Sequence, residues 1–188
     1  MLVHIEEFGK YAIITGFKSI RIRNKEEFLR KIRKEKQSHV EVQFFDAKSV
    51  ATWQHLYFAL LNALTAFNNN ENISKSLAME TMIYASAQRQ IRRAMELIGI
   101  GNDTSEIALL IVGDNSENLK SALSMISENV NMKNDDATVE LSEEKQKIVR
   151  EKFEISDLEL KTVMKKGDLS EALTNLVIER MALLTTQR

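Results

Sequence analysis

The stretch EIALLIVG, residues 106–113, constrains the fold more than any other part of this chain. From Ile107 to Val112 it is apolar without interruption, and a glycine closes it. A strand with two apolar faces must be covered on both, so it belongs inside a sheet that carries helices. YAIITGF (11–17), rich in β-branched and aromatic residues, and the alternating HVEVQFFDA (39–47) supply two more strands. ATVEL (137–141) is expected as a fourth, edge strand. The order and sense of the strands are not encoded in these patterns.

Helical spacing fills the rest. Asn24 caps a helix over 25–36 with Phe28, Leu29 and Ile32 on one face. SVATWQHLYFALLNALTAF repeats apolar residues at Val50, Trp53, Tyr57, Leu60, Leu61 and Leu64. After the loop NNNEN, Ser74 or Ser76 caps SLAMETMIYA, and a second helix is predicted over 87–98, capped by Ser86 and ended by Gly99. NSENLKSALSMISENV and SEEKQKIVREKF are further helices, and Asp168 with Glu171 opens the last one, LSEALTNLVIERMALL. The pattern predicts an α/β fold: a small four-stranded sheet packed with about seven helices, in a single domain over 1–188.

Charge is unevenly spread behind a net value of −1. Phe17–Val40 holds nine Lys/Arg against three Asp/Glu, while Gly101–Glu144 holds two against ten. Such a separation suits a protein that meets an anionic partner on one side. The chain has no cysteine, hence no disulfide and no thiolate metal site. No apolar run approaches the roughly 20 residues of a membrane-spanning helix, and MLVHIEEFGK does not read as a secretion signal, so a cytoplasmic protein is expected.

The common nucleotide, zinc and hydrolase motifs are missing. Of the three histidines, His4 lies near a terminus expected to be loose and His39 opens a strand. Only His55, close in sequence to Asp46, keeps interest as part of a small enzyme site. No nucleophile, base and orienting group assemble, so no catalytic residue, cofactor or metal is expected and a binding protein is the better reading.

Two surfaces stand out. In YASAQRQIRRAMELIGI (84–100), Ile91, Ala94, Met95 and Ile98 are predicted to form a buried stripe, opposite a ridge of Arg89, Arg92, Arg93 and Glu96. Arginines at a helix start are mildly unfavourable there, so they invite an anion, a phosphate above all, with Lys75 adding to the patch. In the last helix Leu169, Ala172, Leu173 and Leu176 make one stripe, and apolar residues from Val177 to Leu184 spread round most of the circumference. Such a helix is central or meets a partner.

The segment SLAMETMIYASAQRQIRRAMELIGI resembles the signature of the kinase-binding subunit of the KEOPS complex, the TPRKB-like (PRPK-binding) family of archaea and eukaryotes. Met79, Glu80, Ala85, Ser86, Arg89, Gln90, Ile91 and Gly99 stand at the matching places, and the likeness extends to FFDAKSVATWQHLYFALLNAL and ERMALL. Residues 17–40 match least, as a lineage-specific elaboration would. Ala87 replaces the usual glycine, so a positive φ there would count against the match. The resemblance implies a non-catalytic subunit of the machinery for the threonylcarbamoyladenosine modification of tRNA. It would bind and activate the small atypical KEOPS kinase/ATPase, meet the other subunits through it, and help capture the tRNA 3′ tail, in the cytoplasm and, in a eukaryote, also the nucleus. The implied RNA surface is Lys75, Arg89, Gln90 and His55, to which the ridge adds Arg92 and Arg93; the implied kinase contact is Val177, Ile178, Met181 and Leu184. A freestanding RNA-binding protein using the same ridge is the alternative, and it would bury Met181 and Leu184 internally.

Overall fold

The apolar run sits where its two greasy faces require. In the computed structural model, which describes residues 1–20, 22, 24–35, 39–164 and 168–186 (backbone alone at 185–186), four strands form one sheet. They are β1 (Leu2–Ile5), β2 (Lys10–Phe17), β3 (Val40–Asp46) and β4 (Ile107–Gly113), in the order β1-β2-β4-β3, every pair antiparallel. β4 is interior and buried along its whole length.

The fourth strand is not the expected one. Residues 136–139 form a 3-10 turn, and the edge position goes to β1. Asn134, Asp135 and Asp136 divert the chain: the Asp135 carboxylate accepts the Ala137 amide (2.9 Å), and Asp136 accepts the Thr15 hydroxyl (2.6 Å). Side chains that bond nearby backbone favour turns over ladders. The turn rests on Gly16, where a Cβ would lie 2.7 Å from the Thr138 Cβ and 2.6 Å from the Ile107 carbonyl oxygen. At the other edge of the sequence, His4 is fixed rather than loose: it pairs with Tyr11 across the β1–β2 ladder, the rings stacked at 4.3 Å.

Eight α-helices complete the described residues: α1 (Lys25–Glu35), α2 (Trp53–Asn68), α3 (Leu77–Ala85), α4 (Ile91–Ile98), α5 (Ser116–Val130), α6 (Glu143–Lys152), α7 (Asp157–Val163) and α8 (Leu169–Thr186). α7 is the helix the periodicity missed, although Ser156 and Glu159 close a full capping box at its start.

The α/β domain gathers its contacts in two compact units. The first, Met1–Ala47 with Ile100–Thr138, holds the sheet. One face of it, through Phe17, Phe44, Ile107, Leu109 and Ile111, packs with Ile32 of α1 and with Leu119, Ala122 and Ile126 of α5. The basic and acidic stretches of the sequence thus fold largely into one unit, where Lys18 meets Asp135 at 3.1 Å and Asn129 donates to Glu35 at 2.7 Å. The second unit, Lys48–Gly99 with Val139–Arg188, is helical. α8 lies against α2, α3, α6 and α7, and α4 against α3. Alanines at 59, 63 and 66 of α2 are buried, and such small side chains let neighbouring helices approach closely.

Candidate functional site

The polar edge around residue 89 is built by the end of α3. Ser76 caps that helix, its hydroxyl accepting the Met79 amide at 3.3 Å. Glu80 is fully buried, and its carboxylate accepts the amides of Ile73 (3.0 Å) and Ser74 (2.6 Å). A buried carboxylate is tolerated when backbone donors satisfy it, and here it ties the preceding loop to the helix.

At its other end α3 closes in a Schellman motif. The Ala87 amide donates to the Tyr84 carbonyl (2.8 Å) and the Gln88 amide to Ile83 (3.2 Å). Ser86, expected as the cap of the next helix, instead closes α3: it is fully buried and its hydroxyl donates to Ile83 at 2.9 Å. The motif needs a left-handed residue one past the cap, and Ala87 takes φ +50° there. An alanine in that region costs about 1 kcal/mol or more; the paired backbone bonds offset it.

α4 consequently starts at Ile91, four residues later than its periodicity predicts, with Gln90 at the cap position and no side-chain cap bond. Arg89 and Gln90 lie in the turn, Arg92 and Arg93 in the first helical turn, and all four are exposed, as is Lys75. The expected ridge is therefore a turn followed by a helix start. Within it Arg92 pairs with Glu96, at 2.9 Å. The expected buried stripe is halved. Ala94 and Ile98 are buried, but Ile91 is 40% and Met95 44% exposed, because a two-turn helix lying on α3 covers only a narrow strip. The surface mixes guanidinium groups, an amide and apolar side chains.

His55 is not part of that surface. It is fully buried, so its ring cannot touch RNA or any other ligand from solvent. Nδ1 accepts the Ala51 amide at 3.2 Å, which leaves the proton on Nε2 to be donated to the Ala85 carbonyl at 2.7 Å. Phe153 packs edge-on against the ring, at 5.5 Å between centroids. Burial, opposed by the Ala85 bond and aided by the Lys145 cation, pulls the imidazole down to about 4. A neutral, doubly engaged imidazole has no free proton site for general base work, which removes the ground for the enzyme reading. Among the described residues no group of three His, Asp or Glu side chains is placed to hold a metal.

On α8 the partner-binding candidates divide. Val177 and Met181 are fully buried and Leu184 is 6% exposed, so these three are core residues of the chain; Ile178 is half-buried. Ala182 and Leu183, part of the apolar spread but not of the implied kinase contact, are exposed, Leu183 by 41%. Spacing could have separated them. Leu173, Val177, Met181 and Leu184 continue one stripe at i, i+4, i+8 and i+11, whereas Ile178, Ala182 and Leu183 fall beside it. An open groove of about 610 Å³ along α6, lined by Glu143, Lys147, Arg150, Glu151 and their neighbours, contains none of the candidates.

Residues 17–185 match the family described as kinase binding protein CGI-121. The regulatory protein Cgi121 of Methanocaldococcus jannaschii is 29% identical over 116 residues, covering 62% of this chain and 72% of that protein. The matched span takes in the basic helix α1, and it includes Ala87 with its positive φ. The left-handed turn therefore does not stand against the match: its own hydrogen bonds hold the backbone that glycine would adopt freely.

Proposed function

Because this chain belongs to the CGI-121 family of kinase-binding proteins, we propose that it is a non-catalytic, cytoplasmic accessory subunit of the KEOPS complex. It docks on the small atypical kinase/ATPase, promotes its activity and helps hold the 3′ tail of tRNA for threonylcarbamoylation. The observation that carries the RNA part is the exposed set Arg89, Gln90, Arg92 and Arg93 at the α3–α4 turn, beside Ile91 and Met95, with Lys75 exposed at the other end of α3. Single-stranded RNA asks for that mixture: cations for phosphates, and polar or apolar side chains for unstacked bases. For the kinase, Ile178, Ala182 and Leu183 are the contact offered by α8, while Val177, Met181 and Leu184 hold that edge from beneath.

Co-purification with the KEOPS kinase tests the docking role. Leu183→Glu with Ile178→Glu abolishes the interaction while far-ultraviolet circular dichroism stays that of the parent; undiminished co-purification sinks the docking assignment. For RNA, Arg89→Ala weakens binding of a tRNA transcript more than binding of the same transcript lacking its unpaired 3′ nucleotides.

One observation favours the alternative of a freestanding RNA-binding protein: Met181 and Leu184 are buried within the chain itself. That reading predicts full tRNA affinity and no kinase in the purified complex.

A further inference from the structure

We propose that His55 is a positioning residue for RNA capture, clamping the end of α3 so that Arg89 and Gln90 are presented on a rigid edge. The inference rests on the RNA reading above and goes beyond it, since His55 itself never meets the ligand.

Two independent features point the same way. The first is the clamp. Ala85 is the last residue of α3, and its carbonyl is among those a helix leaves without an internal partner. Nε2 of His55 fills that need at 2.7 Å, while Nδ1 takes the Ala51 amide just before α2. One buried ring thus ties the start of α2 to the end of α3, four residues before Arg89. The second is strain. Ala87 holds a left-handed backbone that alanine disfavours, and local strain persists only where the surroundings over-determine it. The surroundings here are the two Schellman bonds, the buried Ser86 hydroxyl on Ile83, the Gln88 amide on Ser86 Oγ at 3.3 Å, and the His55 bond on Ala85. Without the clamp, Ala87 gains by relaxing towards an ordinary conformation, and Arg89 and Gln90 move with it. RNA would then have to order the turn on binding, and affinity falls by that amount.

The test uses the full chain and a tRNA transcript with and without its unpaired 3′ nucleotides, with amide hydrogen exchange as a second readout. Leu60→Ala, a fully buried position on the same helix as His55, serves as the control for general destabilisation. His55→Ala and Leu60→Ala both lower the unfolding temperature. Only His55→Ala lowers affinity for the tailed transcript, by about tenfold, and speeds exchange at residues 85–90. His55→Gln, which keeps one donor and one acceptor, restores most of the affinity, and so does Ala87→Gly added to His55→Ala, because glycine adopts the left-handed turn unaided. Should His55→Ala not fold, Ala87→Val makes the same test, since a β-branched residue cannot hold that φ and loses tail affinity in a folded chain. The proposal is overturned if the parent binds the tail, Arg89→Ala weakens it, and His55→Ala (or Ala87→Val in its place) binds like the parent. A parent that does not distinguish the two transcripts removes the RNA reading instead.

Discussion

His55 makes the stability of this protein depend on pH in a definite window. Folded, the imidazole titrates at about 4 against 6.5 for an unperturbed histidine. The unfolded chain therefore takes up the proton first as pH falls, so the contribution is complete above about 6.5 and lost between there and about 4. The span amounts to roughly 3 kcal/mol. Urea unfolding at pH 7 and pH 4.5 should differ by most of that, and His55→Gln should flatten the difference. Glu159 acts at lower pH. The amide and hydroxyl of Ser156, with Arg180, hold its carboxyl at about 2, so its contribution is present above its ordinary value of 4.5 and disappears as pH falls towards 2. Ala87 offers the opposite change: Ala87→Gly removes the left-handed cost of about 1–2 kcal/mol and adds back about 0.4–1 in unfolded-chain entropy, for a net gain of about 0.5–1 kcal/mol in unfolding free energy, measured by the rise in denaturant midpoint. None of these roles was legible from residue type. His55 stands among the surface candidates only through the resemblance and its closeness in sequence to Asp46; its partners are backbone groups of Ala51 and Ala85, which no side-chain pattern reports.

Among the elements, α8 carries the sharpest contrast. Met181→Glu places a charge at a fully buried site and should unfold the chain, whereas Leu183→Glu should change stability by no more than about 0.5 kcal/mol. Chemical denaturation of the two variants side by side checks this. It also separates loss of kinase binding through misfolding from loss through the interface. Helix and strand type followed closely from the apolar pattern wherever a long helix had one dry face, as in α2 and α5, or a strand had two, as in β4. The failures were short or ambiguous. The ATVEL stretch has strand composition, but the carboxylates before it make a turn more favourable, and β1, with half its residues exposed, looks like an ordinary terminus until β2 pairs with it. The start of α4 was misplaced because Ser86 can cap either neighbour, and only the geometry of the turn assigns it to α3.

At the scale of the whole molecule, RNA binding should be strongly salt-dependent. If Lys75, Arg89, Arg92 and Arg93 each neutralise a phosphate of a single strand, the logarithm of affinity should fall with the logarithm of salt at a slope of about −3, and Arg93→Ala should make that slope shallower by about 0.7. Titrations between low and physiological salt measure both. The uneven charge along the sequence gives a different impression from the fold. With the basic 17–40 region and most of the acidic stretch in one unit, that unit holds twelve Lys/Arg against fourteen Asp/Glu, and the helical unit fourteen against thirteen. Neither half is a strong source of potential at a distance. A polyanion approaching from afar meets almost no pull; attraction begins within about a Debye length, roughly 8 Å, of the α3–α4 turn. Encounter should therefore proceed at an ordinary, unsteered rate that changes little with salt, leaving the salt dependence in how long the RNA stays.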